Sequence, residues 1–270
     1  MKNKILRKIT ELTNHNHVKL TSKGNMSIFF ATYLAKKTNS KTYFLIPDQG
    51  GWLTYKKYPN MFKFTTKEIK TDRGIIDLEE LKILAPKSSA IIYANPAGYF
   101  AEQPMKEIYE ICKEAGCLVI LDASGALGKK EWCNGEYADF IIGSFSKWKP
   151  VNVGSGGFIS SKESFIDNDI FSIHKDCDNK YEIIYEKLIQ AGERIEKFIK
   201  IAEKIKTDLK NFNVLHREKQ GLNVVIAYDS ESEKAKITQY CIDNNYEYTE
   251  CPRYIRVEEK AISIEVKRLE

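Results

Sequence analysis

The chain has 270 residues, 43% hydrophobic and 29% charged, with a net charge of +5 from 42 basic and 37 acidic side chains. These are the proportions of a globular protein long enough to bury a full core. The small basic excess is scattered, without the concentrated stripe of a nucleic-acid binder, and no apolar run approaches the length of a membrane span.

The N-terminal segment Met1–Lys8 is charged and leads into no long apolar stretch, so it does not read as a signal peptide. Six cysteines (Cys112, Cys117, Cys133, Cys177, Cys241 and Cys251) form no C-x-x-C pair and have no histidine at zinc-ligand spacing. The expectation is a cytoplasmic protein with reduced thiols and no metal site. His15 and His17 read as solvated loop residues.

Val18–Thr21 reads as a strand, Asn25–Lys37 as a helix, Tyr43–Ile46 as a strand ended by Pro47-Asp-Gln-Gly-Gly, and Met61–Phe64 as a further strand. Asp77–Leu84 has the acidic first turn that a helix dipole prefers. Ser89–Ala94 reads as a buried strand, and Met105–Ala115 as an amphipathic helix closed by Gly116. Cys117–Leu121 is a continuous apolar run ending at Asp122, the pattern of a parallel strand covered on both faces. Phe140–Ile142 and Gly157–Ser160 follow in the same style. This βαβα alternation predicts an α/β fold: a mostly parallel sheet flanked by helices.

After Ser160 the texture changes. Tyr181–Leu209 is one long lysine-rich helical pattern. Asn223–Tyr228 (strand), Glu233–Asn244 (helix), Tyr254–Val257 and Ala261–Val266 (strands) suggest a small α+β unit. The expected division is a larger α/β domain over 1–165 and a small C-terminal domain over 166–270. No G-x-G-x-x-G follows the first strand and no P-loop pattern occurs, so dinucleotide and P-loop readings lack their signatures.

Four features fall at expected strand ends, where ligands sit in open α/β sheets. Asp122 either caps the next turn or holds a pyridinium nitrogen protonated, making that ring an electron sink. Ser144-Phe-Ser-Lys-Trp-Lys149 through Gly154-Ser-Gly-Gly157 gathers two lysines, serines and glycines. It is either a basic surface loop or a site where a lysine amine of lowered pKa captures an aldehyde and hydroxyls hold a phosphate. Thr21-Ser-Lys-Gly-Asn-Met-Ser27 leads into a helix, as an anion site or an ordinary N-cap. Gly50-Gly-Trp52 presents a tryptophan that stacks on a planar ring or packs in the core.

In this order (anion site, aromatic, carboxylate, lysine) the chain resembles fold-type I pyridoxal-phosphate (PLP) enzymes, and within them the DegT/DnrJ/EryC1/StrS aminotransferase family. That family's segment runs roughly Asp-Ala-Ala-Gln-Ala-x-Gly, Gly-Asp, Ser-Phe-His-x-x-Lys and Gly-Glu-Gly-Gly. Here it reads Asp122-Ala-Ser-Gly-Ala-Leu-Gly128, Ala138-Asp139, Ser144-Phe-Ser-Lys-Trp-Lys149 and Gly154-Ser-Gly-Gly157. The resemblance implies PLP as cofactor and Lys149 as its Schiff-base lysine. It implies Asp122 on the ring nitrogen, Trp52 on the ring face, Gly24, Asn25 and Ser144 around the phosphate, and Ser124 among the cofactor-binding residues. Asn95 would lie near the ring hydroxyl. A competing register, similar to cysteine desulfurases and selenocysteine synthases, makes Lys147 the Schiff-base lysine.

The implied activity is an aminotransferase moving an amino group between an amino acid and a keto acid or keto sugar, in a homodimer. The alternatives are a PLP-dependent lyase, for which Cys133 is the loop cysteine nearest Asp122, a catalytically silent protein of the same fold, and an α/β binding domain without cofactor. Two departures stand out: Gly125 where the family has Gln or His, and Ser155 for Glu. Arg253 and Arg256 are either surface arginines on a strand or lie where the small domain of such enzymes often binds a substrate carboxylate.

Overall fold

Residues 1–165, 169–171 and 176–269 are described by the computed structural model. In chain order the elements are α1 (Lys2–Thr13), β1 (His17–Thr21), α2 (Gly24–Thr38), β2 (Tyr43–Pro47), α3 (Tyr58–Met61), β3 (Thr65–Ile69), β4 (Thr71–Asp72) and β5 (Ile75–Ile76). Then come α4 (Leu78–Leu84), β6 (Ser88–Ala94), α5 (Met105–Glu114), β7 (Leu118–Asp122), β8 (Phe140–Ser144) and β9 (Gly157–Ser161). The chain ends with α6 (Tyr181–Asp208), β10 (Asn213–Val214), β11 (Val224–Ala227), α7 (Glu231–Asp243), β12 (Tyr248–Cys251) and β13 (Ala261–Ile264).

The main sheet has seven strands in the order β1-β9-β8-β7-β6-β2-β3. Strands β3, β2, β6, β7 and β8 are mutually parallel, and β9 runs antiparallel between β8 and β1. Because successive strand side chains point to opposite faces, each apolar run feeds two cores. Val119 and Leu121 join a core with α1, α5 and α6, while Ile120 faces the other side with Phe30, Phe44 and Ile142. Both faces are therefore dry, which is why β6 and β7 read as unbroken apolar runs. The fold is the expected one, a mostly parallel sheet flanked by helices.

The C-terminal part carries its own four-stranded antiparallel sheet, β10-β11-β13-β12. The 28-residue α6 joins it to the rest, with Ile184, Leu188, Ile195 and Phe198 in the same core as Ile5 and Ile9 of α1. The expected boundary after residue 165 adjoins residues 166–168, outside the described residues.

Four local expectations need correction. Helix α1 was not anticipated; Ile5, Ile9 and Leu12, spaced at helical intervals, bury its inner face against α6. His15 is fully buried, not solvated. Its ring contacts Ser160 Oγ at 3.1 Å and the carbonyls of Gly135 and Ala138 at 3.2 Å, and burial lowers its pKa. Residues 61–64 are not a strand: α3 ends there, and Phe62 and Phe64 pack on Phe29 and Phe44 before β3 begins at Thr65. Residues 254–257 form a turn, and the edge strand is Tyr248–Cys251. Pro252 has no N–H with which to extend it.

Candidate active site

The carboxyl ends of β2, β6, β7 and β8 lie along one edge of the sheet. Antiparallel pairing brings the start of β9 and the end of β1 to the same edge, with Gly157 opposite both Ser144 and Thr21. The segments singled out in the sequence therefore converge although they are up to 130 residues apart. They enclose a cavity of about 430 Å³ lined, among others, by Gly24, Asn25, Trp52, Asp122, Ser144 and Lys149.

Close backbone approach builds one end of this cavity. A Cβ on Gly24 would lie 2.4 Å from Ser144 Cβ, so glycine is what lets the N-terminus of α2 abut the end of β8. The first N–H groups of that helix have no partner within it and favour an anion. Ser144 Oγ pairs with Ser146 Oγ at 2.8 Å, and Ser124 Oγ accepts from the Ser144 amide at 3.0 Å. Trp52 Nε1 donates to Asn25 Oδ1 at 3.0 Å, fixing the indole beside the helix start.

Asp122 ends β7 and is 7% exposed. Its Oδ1 accepts from the Ser124 amide at 2.9 Å, and its Oδ2 accepts from the Tyr55 hydroxyl at 2.6 Å. Tyr55 is fully buried, and burial together with Asp122 pushes its phenol well above the ordinary range. The carboxylate is thus held by two donors at the sheet edge, with its charge facing the cavity.

The two lysines separate cleanly. Lys147 is exposed and lies outside the lining, whereas Lys149 is 8% exposed and reaches into the cavity. Trp148, in the left-handed region at φ 64°, turns outward between them against Arg268, which places the lysines on opposite sides of the chain. Burial pushes the Lys149 amine down to about 8, with Asp122 opposing and Arg256 adding to the shift. The amine is hydrogen-bonded to the Tyr99 hydroxyl and stands 5.5 Å from the centroid of the Trp52 ring.

Three expected residues fall elsewhere. Asn95 is buried but outside the cavity: its amide nitrogen donates to Trp132 O at 2.8 Å and Met105 Sδ at 3.1 Å, and its oxygen accepts from the Gln103 amide. It ties the loop after β6 to α5. Arg256 is locked on Glu265 through Nε at 2.9 Å and Nη2 at 2.6 Å, and Arg253 is exposed; neither lines the cavity. Conversely, Tyr55, Tyr99 and Ser146 belong to the site without having been singled out. Tyr55 lies three residues past Trp52, and Tyr99 directly follows the Asn95-Pro-Ala-Gly98 turn. Position after a strand end was the available signal for both.

All six cysteines are buried and free, and none lines the cavity. Cys133 points at the carbonyls of Leu12 and Lys129, and burial pushes its thiol up to about 12. Among the described residues no cluster of acidic, histidine and cysteine side chains would hold a metal ion, and no helix is long and apolar enough to cross a membrane. The donor set instead suits a flat heteroaromatic ring bearing a phosphate: a helix N-terminus and serines at one end, an indole at one face, a carboxylate and a buried amine for the ring's polar atoms.

A family model described as the MJ1341 family C-terminal domain matches residues 192–270. No curated protein matches the chain. Among solved structures it is similar to a serine palmitoyltransferase from S. paucimobilis with a bound PLP–myriocin aldimine (TM-score 0.71, 14% identity, 97% of this chain and 70% of that one). It is similar to the apo cysteine desulfurase of Thermococcus onnurineus NA1 (0.71, 11%, 97% and 78%). It is also similar to 3-amino-5-hydroxybenzoic acid synthase (0.71, 13%, 100% and 86%). These likenesses define the class of fold, that of PLP-dependent fold-type I enzymes, which is shared by transferases and lyases alike.

Proposed function

We propose that this chain is a PLP-dependent enzyme acting on amino groups, and specifically an aminotransferase working between an amino acid and a keto acid or keto sugar. The observation that carries the reading is Lys149: a buried amine of lowered pKa in the same cavity as the Asp122 carboxylate and the Ser144–Gly24 cradle. The cradle fits the cofactor's phosphate because a helix N-terminus and hydroxyls meet where a side chain on residue 24 would block them. The Ser144-to-Gly157 spacing is the further ground for a sugar-aminotransferase-like enzyme. We also propose that it acts as a homodimer in the cytoplasm, the first point to be checked by light scattering.

PLP, when bound, supplies a ring that absorbs the electron pair left as a bond to the amine-bearing carbon breaks. The chain's own residues set the stage. The α2 N-terminus with Gly24, Asn25, Ser124 and Ser144 anchors the phosphate. Trp52, tied to Asn25, covers one ring face. Asp122, oriented by Tyr55 and the Ser124 amide, keeps the ring nitrogen protonated. Lys149 Nζ would hold the cofactor and, once released, would serve as the base that takes a proton from the substrate carbon and returns it to the carbon on the far side of the amine nitrogen. A lyase of the desulfurase type would need a cysteine at the cavity, and the buried thiols found here favour transamination over it.

The test is borohydride reduction of the chain incubated with PLP, followed by peptide mass spectrometry. A phosphopyridoxyl label on Lys149 is expected, with Lys149→Ala losing about 10²–10⁴-fold in amino transfer and Lys147→Ala retaining it. A label on Lys147 would move the chemistry to the desulfurase-like register. Absence of label on both, with a colourless protein, would remove the enzyme reading.

A further inference from the structure

Tyr99 stands between the cavity and the C-terminal sheet, and its surroundings are unusual for a loop tyrosine. Its backbone is in the left-handed region at φ 70°, which a bulky residue enters only when its environment holds it there. That hold comes from the far end of the chain: the amides of Leu222 and Asn223 both donate to Tyr99 O, at 2.7 and 3.0 Å. The ring packs over Gly125, where a Cβ would stand 2.8 Å from Tyr99 Cδ1 and 2.9 Å from Cε1. Glycine at 125 therefore makes the room that the ring occupies. From there the hydroxyl reaches the Lys149 amine, and among the described residues it is that amine's hydrogen-bond partner.

The charges around the ring decide which way this hydrogen bond is used. Lys149 Nζ lies 4.4 Å from the ring centroid, Lys267 Nζ 5.0 Å and the Arg256 guanidinium 5.4 Å. Lys267 and Arg256 are both paired to Glu265, and Asp122 is the nearest other carboxylate acting on Lys149. Tyr55, with its hydroxyl on Asp122, and the Trp52 ring complete the groups facing the amine. A third positive charge on this ring meets two existing cations, whereas a neutral amine presents a lone pair that the phenol O–H can fill. Tyr99 is half-buried, and desolvation of its phenol raises the pKa well above the ordinary range, so it stays protonated and able to donate.

We propose that Tyr99, in the space left by Gly125, positions Lys149 Nζ and, by donating its phenol proton to the neutral amine, favours the free base over the ammonium form. The inference deepens the PLP reading, since it names the residue that readies the proposed cofactor-holding lysine, but it concerns the amine itself and is testable without cofactor. It also explains what the C-terminal sheet contributes to a cavity it does not line: it pins the backbone of Tyr99.

The experiment measures, in the cofactor-free full chain, the rate at which acetic anhydride acylates Lys149 as a function of pH, read by peptide mass spectrometry. In the parent chain the midpoint is expected near 8. Tyr99→Phe keeps the ring and removes the donor, and should raise the midpoint by about one pH unit, a roughly tenfold loss of free amine at neutral pH. Gly125→Ala, which pushes the ring away without touching Tyr99, should shift it the same way. In the Tyr99→Phe background Gly125→Ala should add nothing, because no hydroxyl remains to displace. Circular dichroism checks that each variant is folded. An unchanged midpoint in folded Tyr99→Phe, or equal Gly125→Ala effects in both backgrounds, would overturn the inference. Absence of a phosphopyridoxyl label on both Lys149 and Lys147 would instead overturn the PLP reading and leave this result standing.

Discussion

Two polar clusters lie back to back across Tyr99, and they are built on opposite principles. On the C-terminal side, Glu265 is fully buried and saturated. It accepts from Arg256 through two nitrogens, from Ser263 at 2.9 Å, from Asn223 at 3.3 Å and from Lys267. On the cavity side, the α2 N-terminus, Ser144 and Lys149 keep donors that the fold leaves for something else. A saturated cluster holds shape, because every buried charge has its partner. An open one has capacity for a ligand and carries a cost until a ligand arrives. The chain places the rigid cluster where it supports the site and the open one where a ligand enters.

The sharpest way to break this contrast is Glu265→Gln. It leaves the two buried cations Arg256 and Lys267 without a carboxylate, and removing one partner of such a group costs about 3–5 kcal/mol. Urea unfolding should show a loss of that size. The acid side adds a signature. Burial alone would raise the Glu265 pKa, but Arg256 and Lys267 outweigh it and hold the carboxyl well below the usual carboxylate range. As pH falls the unfolded chain takes up this proton first, at about 4.3, so the stabilisation is complete above about pH 5 and is lost progressively below it. The gap between parent and Glu265→Gln should therefore narrow in acid. A constant gap from pH 7 to 3 would show that the pair is not what stabilises the C-terminal sheet.

On the open side, Gly24→Ala should act on ligand affinity as well as on stability. The added Cβ meets Ser144 Cβ at 2.4 Å, and forcing the helix start away from β8 costs about 1–3 kcal/mol. If that displacement is taken up in the anion cradle, PLP should bind roughly 10- to 100-fold more weakly, measured by fluorescence titration. Equal affinity in the variant would place the phosphate elsewhere.

What was legible in the sequence follows the same division. The two-faced strands announced themselves because burial on both sides makes an unbroken apolar run, and their C-terminal ends marked the site. Asp122, Ser144, Lys149, Gly24 and Trp52 could be singled out because each follows such a run or opens a helix. Tyr55, Tyr99 and the burial of His15 could not. Each is one residue in a loop or, for Tyr55, a single 3-10 turn, and its role is set by contacts to segments far away in sequence: Asp122, Lys149 and Ser160. Periodicity carries no information about such contacts. Arg256 and Asn95 lie outside the cavity lining for the complementary reason. Their chemistry suits a ligand, but the fold had already given them protein partners, Glu265 and the Trp132 carbonyl, which pairwise spacing along the chain does not show. That Lys149 lines the cavity and Lys147 is exposed was likewise not legible, since the left-handed Trp148 between them leaves no mark in the periodicity.

The smallest expected effect probes the joint between core and cavity. Tyr55 is buried to completion, and its ring belongs to the aromatic core beneath α2, while its hydroxyl alone touches the site through Asp122 Oδ2. Tyr55→Phe keeps the ring's packing and removes that one donor, leaving Asp122 held by the Ser124 amide at 2.9 Å. A hydrogen bond to a charged group is worth about 1.5–3 kcal/mol, but the carboxylate keeps a second partner and can recruit water from the cavity, so part of that is recovered. Amino transfer should fall roughly three- to tenfold, with kcat lowered and PLP affinity little changed, because orientation of the carboxylate is lost and its charge is not. Asp122→Asn, which removes the charge itself, should cost more than Tyr55→Phe by at least about tenfold. If the two variants were equally impaired, Asp122 would be serving the site through its geometry alone, and the electrostatic role assigned to it on the ring nitrogen would have to be given up.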